Sequence, residues 1–274
     1  MTIKLIATDM DGTLLTDEKT YDQAWLSALL DEMAAKDIRF VAASGNQQVK
    51  LSAYFEPIGA DRLTYISDNG AIVSQNNQIL AEKTLRPQQV AEILKWNAKE
   101  HPIDENLVML SGAKGAYVSN HATPEIIEMS KFFFPNIHQV DRFMDIEDDI
   151  FRVSLIWEQS VDVMPEIAEL QDAFGSQLHI TGSGYGSVDI LAPGVNKRAG
   201  LELLSERWKI NPDEMVAFGD NDNDLEMLHY VKHPFVMPNA EQFMQDQIAT
   251  KAVADNNHQG VLATIQQILD GKLI

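Results

Sequence analysis

The N-terminal part of the chain alternates short apolar runs with amphipathic stretches. Residues 3–8 form a mostly apolar run rich in β-formers, which predicts a buried strand that ends at Asp9. Residues 21–36 carry apolar side chains at helical spacing and predict an amphipathic helix. Apolar runs at 38–43 and near 63–67, with a helix-like stretch between them, predict two more strands. This alternation predicts a parallel sheet with helices on both faces.

The C-terminal third repeats the same alternation. Residues 187–192 and 215–218 predict strands, with a helix over 197–208 between them. Another helix, a short strand near 235–237 and a last helix at about 260–270 follow. We expect these elements to continue the sheet begun by the N-terminal strands.

The middle of the chain has a different pattern, in which helix-like stretches such as 87–100 are mixed with strands such as 151–157. We interpret this part as a second, inserted domain. The whole sequence therefore predicts an α/β fold with a Rossmann-like, doubly wound parallel sheet as its core. The core is expected from residues 1–84 and 188–274, and an inserted α+β cap domain from residues 85–187.

Composition narrows the choice of partners. The chain has 274 residues, no cysteine, and 21 Lys and Arg against 41 Asp and Glu, a net charge of −20. Disulfides, cysteine-based metal sites and cysteine nucleophiles are excluded, and the acidic surface disfavours nucleic acid and membranes as partners. The opening apolar run is too short for a signal peptide, and nowhere do about 18 apolar residues run together. We expect a soluble cytoplasmic protein in which an anionic substrate needs a local cation or metal.

Two carboxylates follow the first predicted strand. In an extended segment residues i and i+2 point the same way, so Asp9 and Asp11 can lie side by side at the carboxyl end of that strand. Ligands of open α/β sheets bind at this edge, and Gly12 lets the chain turn sharply there. An Asx turn with a helix cap is the alternative interpretation of the same residues.

A second acidic segment follows the strand at 215–218. Asp220, Asp222 and Asp224 place three carboxylates within five residues, which suggests a divalent cation. In the favoured interpretation Asp220 faces the metal, and Asn223 and Asp224 begin a helix. An EF-hand does not fit, because its sixth loop position would be Leu225 instead of Gly. Helix capping is the structural alternative, and it is compatible with a site.

Two further segments carry candidate residues for binding an anion. Ser44 and Gly45 end the second strand, where a hydroxyl and an amide at a helix start can hold an anion, and Lys197 begins a predicted helix. A plain cap and a solvated lysine are the alternatives. Phosphate monoesters hydrolyse very slowly unaided, and a carboxylate nucleophile is repelled by a phosphate dianion. Carboxylate pairs holding Mg²⁺, with Lys197 near the phosphate, would offset that charge.

These motifs, in this order, resemble the haloacid dehalogenase superfamily. The segments Asp-Met-Asp-Gly-Thr, Ser-Gly, Lys and Gly-Asp-x-x-Asn-Asp carry the resemblance, which is narrower to the Cof-type phosphatases and, among them, to the bacterial sugar phosphatases. Asn69-Gly70-Ala71 also resembles that group. Many Cof-type relatives have Thr-Gly-Arg where this chain has Ser44-Gly45-Asn46, so substrate preference does not transfer directly.

The resemblance implies a role for each motif. Asp9 would be the nucleophile that forms an aspartyl-phosphate, and Asp11 the general acid and base. Mg²⁺ would be held by Asp9, Asp11 and Asp220, with Asp224 supporting. The phosphoryl group or substrate would be bound by Met10, Ser44, Gly45, Lys197 and Asn223, with Asn46 as a supporting residue.

The resulting hypothesis is a Mg²⁺-dependent phosphatase for small phosphorylated metabolites, above all sugar phosphates. A phosphomutase of the same fold and a non-catalytic phosphometabolite-binding protein are the alternatives. The cap is expected to close over the site and to discriminate the leaving group. Tyr117, Tyr185 and the glycines around Tyr185 are candidates to face the substrate, unless the tyrosines pack inside the cap.

Overall fold

The computed structural model describes residues 2–101, 106–131, 134–158, 160–184 and 186–274. The strands in these ranges are β1 Leu5–Thr8, β2 Arg39–Ala43, β3 Thr64–Ser67, β4 Ile72–Gln75, β5 Gln78–Glu82, β6 Leu107–Gly112, β7 Gly115–Ser119, β8 Ile137–Val140, β9 Ile150–Ile156, β10 His179–Gly182, β11 Ser187–Leu191, β12 Met215–Gly219 and β13 His233–Val236. The α-helices are α1 Gln23–Ala35, α2 Gln48–Ala53, α3 Pro87–Glu100, α4 Pro124–Lys131, α5 Met164–Phe174, α6 Lys197–Trp208, α7 Leu225–Tyr230, α8 Gln242–Gln247 and α9 Gly260–Leu269. Among the described residues, no helix has the length and apolar character needed to cross a membrane.

The first sheet has the strand order β13-β12-β1-β2-β3-β4-β5. Its strands from β13 to β3 are parallel, which confirms the predicted α/β class, and β4 and β5 continue it as antiparallel strands. Side chains alternate across β1, so Ile6 packs with α1 and α9 on one face. Leu5 packs with α6 and α7 on the other face, as the prediction of helices on both faces requires.

The hairpin of β4 and β5 was not predicted. Asn76 and Asn77 connect the two strands, and both have a positive φ, 51° and 59°. Asparagine tolerates this left-handed conformation better than most residues, and two such residues in a row suit a tight hairpin turn. The turn therefore extends the parallel core sheet at its edge with antiparallel strands.

The second sheet has the order β10-β11-β9-β6-β7-β8, with antiparallel pairing except between β7 and β8. Its own hydrophobic core includes Ile93 of α3 and Ile167 of α5, so helices cover one part of it as expected for an α+β unit. We call the part of the chain from α3 to β11 the insert.

The strand over residues 187–191 corrects the sequence-based assignment. We expected it in the core sheet, but β11 pairs antiparallel with β9 and β10 of the second sheet. The predicted boundary at residue 188 therefore falls inside a strand of the insert. The apolar pattern identified a strand correctly, but it carries no information about which neighbour the strand pairs with.

Candidate active site

The two acidic motifs and Lys197 meet at the carboxyl edge of the core sheet. Asp9 follows β1, Asp220 follows β12, and Lys197 is the first residue of α6. The Lys197 ammonium donates to Asp9 Oδ1 at 2.6 Å and to Asp224 Oδ1 at 2.7 Å. Helix α6 begins at this position because the Asn196 side chain accepts from the Ala199 amide and caps the helix.

Lys197 is fully buried, with no exposed surface. Burial by itself would lower the pKa of its ammonium, but the carboxylates of Asp224 and Asp9 outweigh this effect and hold the pKa above its usual value. Lys197 therefore remains a cation in the site. The alternative interpretation of Lys197 as a solvated surface lysine is therefore wrong.

Three aspartates form a compact cluster around this lysine. Asp9, Asp220 and Asp224 each offer a carboxylate oxygen within 4.8 Å of the others. Burial raises the pKa of Asp9 to about 7, against the opposing effect of Lys197. Burial, and then the neighbouring Asp9 and Asp224, raise the pKa of Asp220 well above its usual value. One buried lysine thus lies among three carboxylates, of which Asp9 and Asp224 are buried and Asp220 is half-buried. This excess of oxygen donors and negative charge fits a hard divalent cation.

Asp224 accepts hydrogen bonds through both of its carboxylate oxygens. Its Oδ1 accepts from Lys197, and its Oδ2 accepts from the amides of Asp220 and Asn221 at 3.0 and 3.2 Å. Because both oxygens are already engaged, Asp224 orients the lysine and the loop after β12. Asp9 and Asp220 are the carboxylates that remain for a cation, and Thr13 donates to Asp220 Oδ1 at 2.9 Å.

Asp11 lies in a separate polar group. Lys19 donates to its Oδ1 at 2.6 Å, and the Asn46 side chain donates to its Oδ2 at 2.7 Å. Lys50 is also close enough to Asp11 for the carboxylate to act on it electrostatically, and burial lowers the pKa of Lys50 to about 8. Sequence reasoning missed both lysines, because no motif or spacing links them to Asp11.

The predicted phosphate-side residues have different surroundings. Ser44 Oγ accepts from the Asn46 amide at 3.0 Å, and its hydroxyl remains able to donate. Asn223 is nearly buried and donates to Asn69 Oδ1 at 2.9 Å. The Met10 side chain is fully buried in the hydrophobic core, so Met10 can contact a substrate only through its backbone.

Of the two tyrosines expected to face the substrate, the structure describes only Tyr117. Tyr117 is buried in the core of the insert, donates to Asp148 at 2.9 Å and stacks on His138. It therefore belongs to the packing of the insert, which was the alternative interpretation. Tyr185 lies outside the described residues. The nearby Gly182 amide donates to Asp222 at 3.1 Å, so this glycine-rich loop of the insert contacts the acidic loop after β12.

The fold and this site are those of an α/β enzyme. Its carboxylates and its buried lysine lie at the carboxyl edge of the parallel sheet, where ligands of such sheets bind. The profile of the haloacid dehalogenase-like hydrolases matches residues 6–265. The chain is 32% identical to the 5-amino-6-(5-phospho-D-ribitylamino)uracil phosphatase of Escherichia coli, over 98% of this chain and 97% of that protein. It is 24% identical to the HMP-PP phosphatase of Klebsiella pneumoniae, over 97% of this chain and 96% of that one. A crystal structure of a Streptococcus mutans protein superposes with a TM-score of 0.92 at 31% identity, covering 98% of this chain and all of the other.

The protein belongs to the haloacid dehalogenase-like hydrolases, and the named relatives that it matches are phosphatases. This confirms the family that the motifs suggested.

Proposed function

We propose that this protein is a Mg²⁺-dependent phosphatase that hydrolyses phosphoric monoesters of small metabolites, with sugar phosphates as the favoured class. The observation that carries the proposal is the buried Lys197, which pairs with Asp9 and Asp224 beside the carboxylate of Asp220. The relatives support a phosphorylated metabolite, since one is named a 5-amino-6-(5-phospho-D-ribitylamino)uracil phosphatase and another an HMP-PP phosphatase.

In the proposed reaction, Asp9 attacks the phosphorus atom with a carboxylate oxygen. The bond from phosphorus to the leaving oxygen breaks, and Asp11 gives that oxygen a proton. Asp11 then takes a proton from a water molecule, whose oxygen attacks the aspartyl-phosphate. Inorganic phosphate leaves, and the Asp9 carboxylate is restored.

Two lysines stabilise the negative charges that are present or develop in these steps. Lys197 offsets the repulsion between Asp9 and the phosphoryl group, and Lys19 stabilises the Asp11 carboxylate after it has given up its proton. Asp9, Asp220 and the Asp11 backbone carbonyl would hold Mg²⁺, which when bound neutralises negative charge on the carboxylates and the phosphoryl oxygens.

The decisive experiment replaces the nucleophile. We expect Asp9→Asn to abolish release of inorganic phosphate from an aryl phosphate, because an amide is a poor nucleophile towards phosphorus. Asp37→Asn is the control, since the Asp37 side chain is 84% exposed and pairs only with Lys4 in the described contacts. More than a trace of activity in purified Asp9→Asn would remove Asp9 from this role.

Phosphate release by the wild-type protein without a bisphosphate activator would also separate hydrolysis from mutase activity.

The leaving group is expected between the core and the insert. A cavity of about 280 Å³ there is lined by Gln47 and Asp68 from the core and by Lys114 from the insert. We expect Lys114→Ala to change the order of preference among sugar phosphates by severalfold, while hydrolysis of a small aryl phosphate stays nearly the same. The Lys99→Ala variant, on an exposed end of α3, is the control. An equal change for all substrates would contradict a role of this cavity in specificity.

A further inference from the structure

A buried ion pair of the insert reaches the phosphate side of the core. Arg152 on β9 and Asp189 on β11 have side chains that are 5% and 1% exposed, and Arg152 Nη1 donates to Asp189 Oδ2 at 2.8 Å. Neither residue belongs to the machinery described above. Replacing a buried ion pair by apolar residues is often neutral for stability, so stability alone does not explain a pair at this position.

Arg152 of this ion pair contacts the loop that follows β2. Arg152 Nη1 also donates to the carbonyl oxygen of Gly45 at 2.7 Å, across the boundary between insert and core. Gly45 has no side chain, and a Cβ there would lie 3.5 Å from Arg152 Nη1 and 3.2 Å from Asn69 Oδ1. The guanidinium thus fixes the peptide group that joins Gly45 to Asn46.

The other residue of the ion pair, Asp189, is connected to the core by the side chains of two asparagines. Asp189 Oδ2 accepts from Asn69 Nδ2 at 2.7 Å, and Asn69 Oδ1 accepts from Asn223 Nδ2 at 2.9 Å. A carboxylate only accepts hydrogen bonds, so Asp189 determines which end of the Asn69 amide faces it. The remaining end of Asn69 is an acceptor, which orients Asn223 with its NH₂ group towards Asn69 and leaves one hydrogen of that group for a further acceptor.

We propose that Arg152 and Asp189 are positioning residues that assemble the phosphate-binding site from the side of the insert. Arg152 acts through Gly45, and Asp189 acts through Asn69 and Asn223. The insert is then more than a cover that selects the leaving group, because the phosphoryl site is complete only when the insert is docked. This inference rests on the proposed function, since it takes Gly45 and Asn223 as groups that hold phosphate.

The proposal predicts a loss that is common to all substrates. In Asp189→Asn, position 189 can donate as well as accept, so the orientation of Asn69 and Asn223 is no longer enforced. We expect kcat/KM to fall on the order of 10- to 100-fold, by the same factor for an aryl phosphate and for a sugar phosphate. The dissociation constant of inorganic phosphate, measured by calorimetry with Mg²⁺ present, should rise on the same order.

Ser154→Ala is the matched control, because Ser154 contacts the same carboxylate. Ser154 donates to the other oxygen of Asp189, at 2.6 Å. Ser154→Ala leaves the bonds to Arg152 and Asn69 in place, so phosphate affinity should change little. Equal effects of Asp189→Asn and Ser154→Ala on phosphate affinity would overturn the proposal, and so would a loss confined to the larger substrate.

A double variant separates positioning from folding. Asp189→Asn combined with Asn69→Asp moves the carboxylate one place along the chain of hydrogen bonds, where it can accept from both position 189 and Asn223. We expect phosphate affinity to recover at least severalfold relative to Asp189→Asn. No recovery in folded protein would overturn the role of Asn69 and Asn223. Absence of phosphatase activity in the wild-type protein would instead contradict the proposed function, and the calorimetric comparison distinguishes the two failures.

Discussion

At the scale of single residues, Asp11 has the most informative surroundings. Both of its oxygens accept hydrogen bonds, one from Lys19 and one from Asn46. These two contacts define the position of the carboxyl group that the proposed mechanism uses for proton transfer. Asp9 differs, because it is buried against Lys197 and has the raised pKa.

We expect Asp11→Asn to fold normally and to lower kcat on an alkyl phosphate by about 10²–10⁴-fold, the usual contribution of general acid–base catalysis. The loss should be smaller on an aryl phosphate, whose leaving oxygen needs less help from a proton. Steady-state rates on both substrates check this. A wild-type rate on the alkyl phosphate would remove Asp11 from the mechanism.

At the scale of elements, the turn after β3 fits against the start of α6. Asp68, Asn69 and Gly70 all have positive φ, and a Cβ on Gly70 would lie 2.1 Å from the backbone oxygen of Asn196. Asn196 is the cap of α6, and the next residue is Lys197. This close backbone contact therefore sets the position of the buried lysine.

We expect Gly70→Ala to lower both activity and stability, because the helix start must move away from the new methyl group. The loss of stability should be about 3 kcal/mol or more, of which roughly 1–2 kcal/mol comes from the left-handed backbone. Gly194→Ala is the matched control, since Gly194 has φ 74° and no atom within 4 Å of its Cβ position. Urea unfolding and kcat compare the two variants, and equal effects would contradict the role of the close contact.

At the scale of the whole molecule, the dominant feature is uncompensated negative charge. The chain carries a net charge of −20, and its site gathers three carboxylates, two of them buried, around one lysine. Burial raises the pKa of Asp9 to about 7, above that of an unfolded aspartate near 4. The folded protein thus binds this proton more tightly than the unfolded chain does, so this group reduces stability as the pH rises from about 4 to about 7.

We expect Mg²⁺ to stabilise the protein more at about pH 8 than at about pH 5, because protons compete with the cation for the same carboxylates. The melting temperature with Mg²⁺ and with EDTA, at both pH values, checks this. Asp220→Asn should lose most of the Mg²⁺ effect. A shift of equal size at both pH values would contradict titration of the cluster.

Local sequence patterns predicted the ends of the core elements that carry the candidate site residues. Helix α6 covers residues 197–208 as predicted, and the strands before Asp9 and Asp220 end where their apolar runs end. Local patterns suffice here, since apolar runs and caps reflect interactions within a few residues. The parallel arrangement of these strands then brings their carboxyl ends to one edge, which is why Lys197 meets Asp9 across 188 positions.

The pairing of these elements with one another depends on long-range contacts that the local patterns do not contain. The pattern of residues 187–191 predicts a strand equally well in either sheet, and hydrogen bonding to β9 and β10 assigns it to the insert. Lys19 beside Asp11 and Arg152 beside Gly45 follow no spacing rule, because long charged side chains are placed by loop conformation and by domain contacts. Periodicity reports whether a position is buried, but the partner of a buried charge depends on contacts between distant segments.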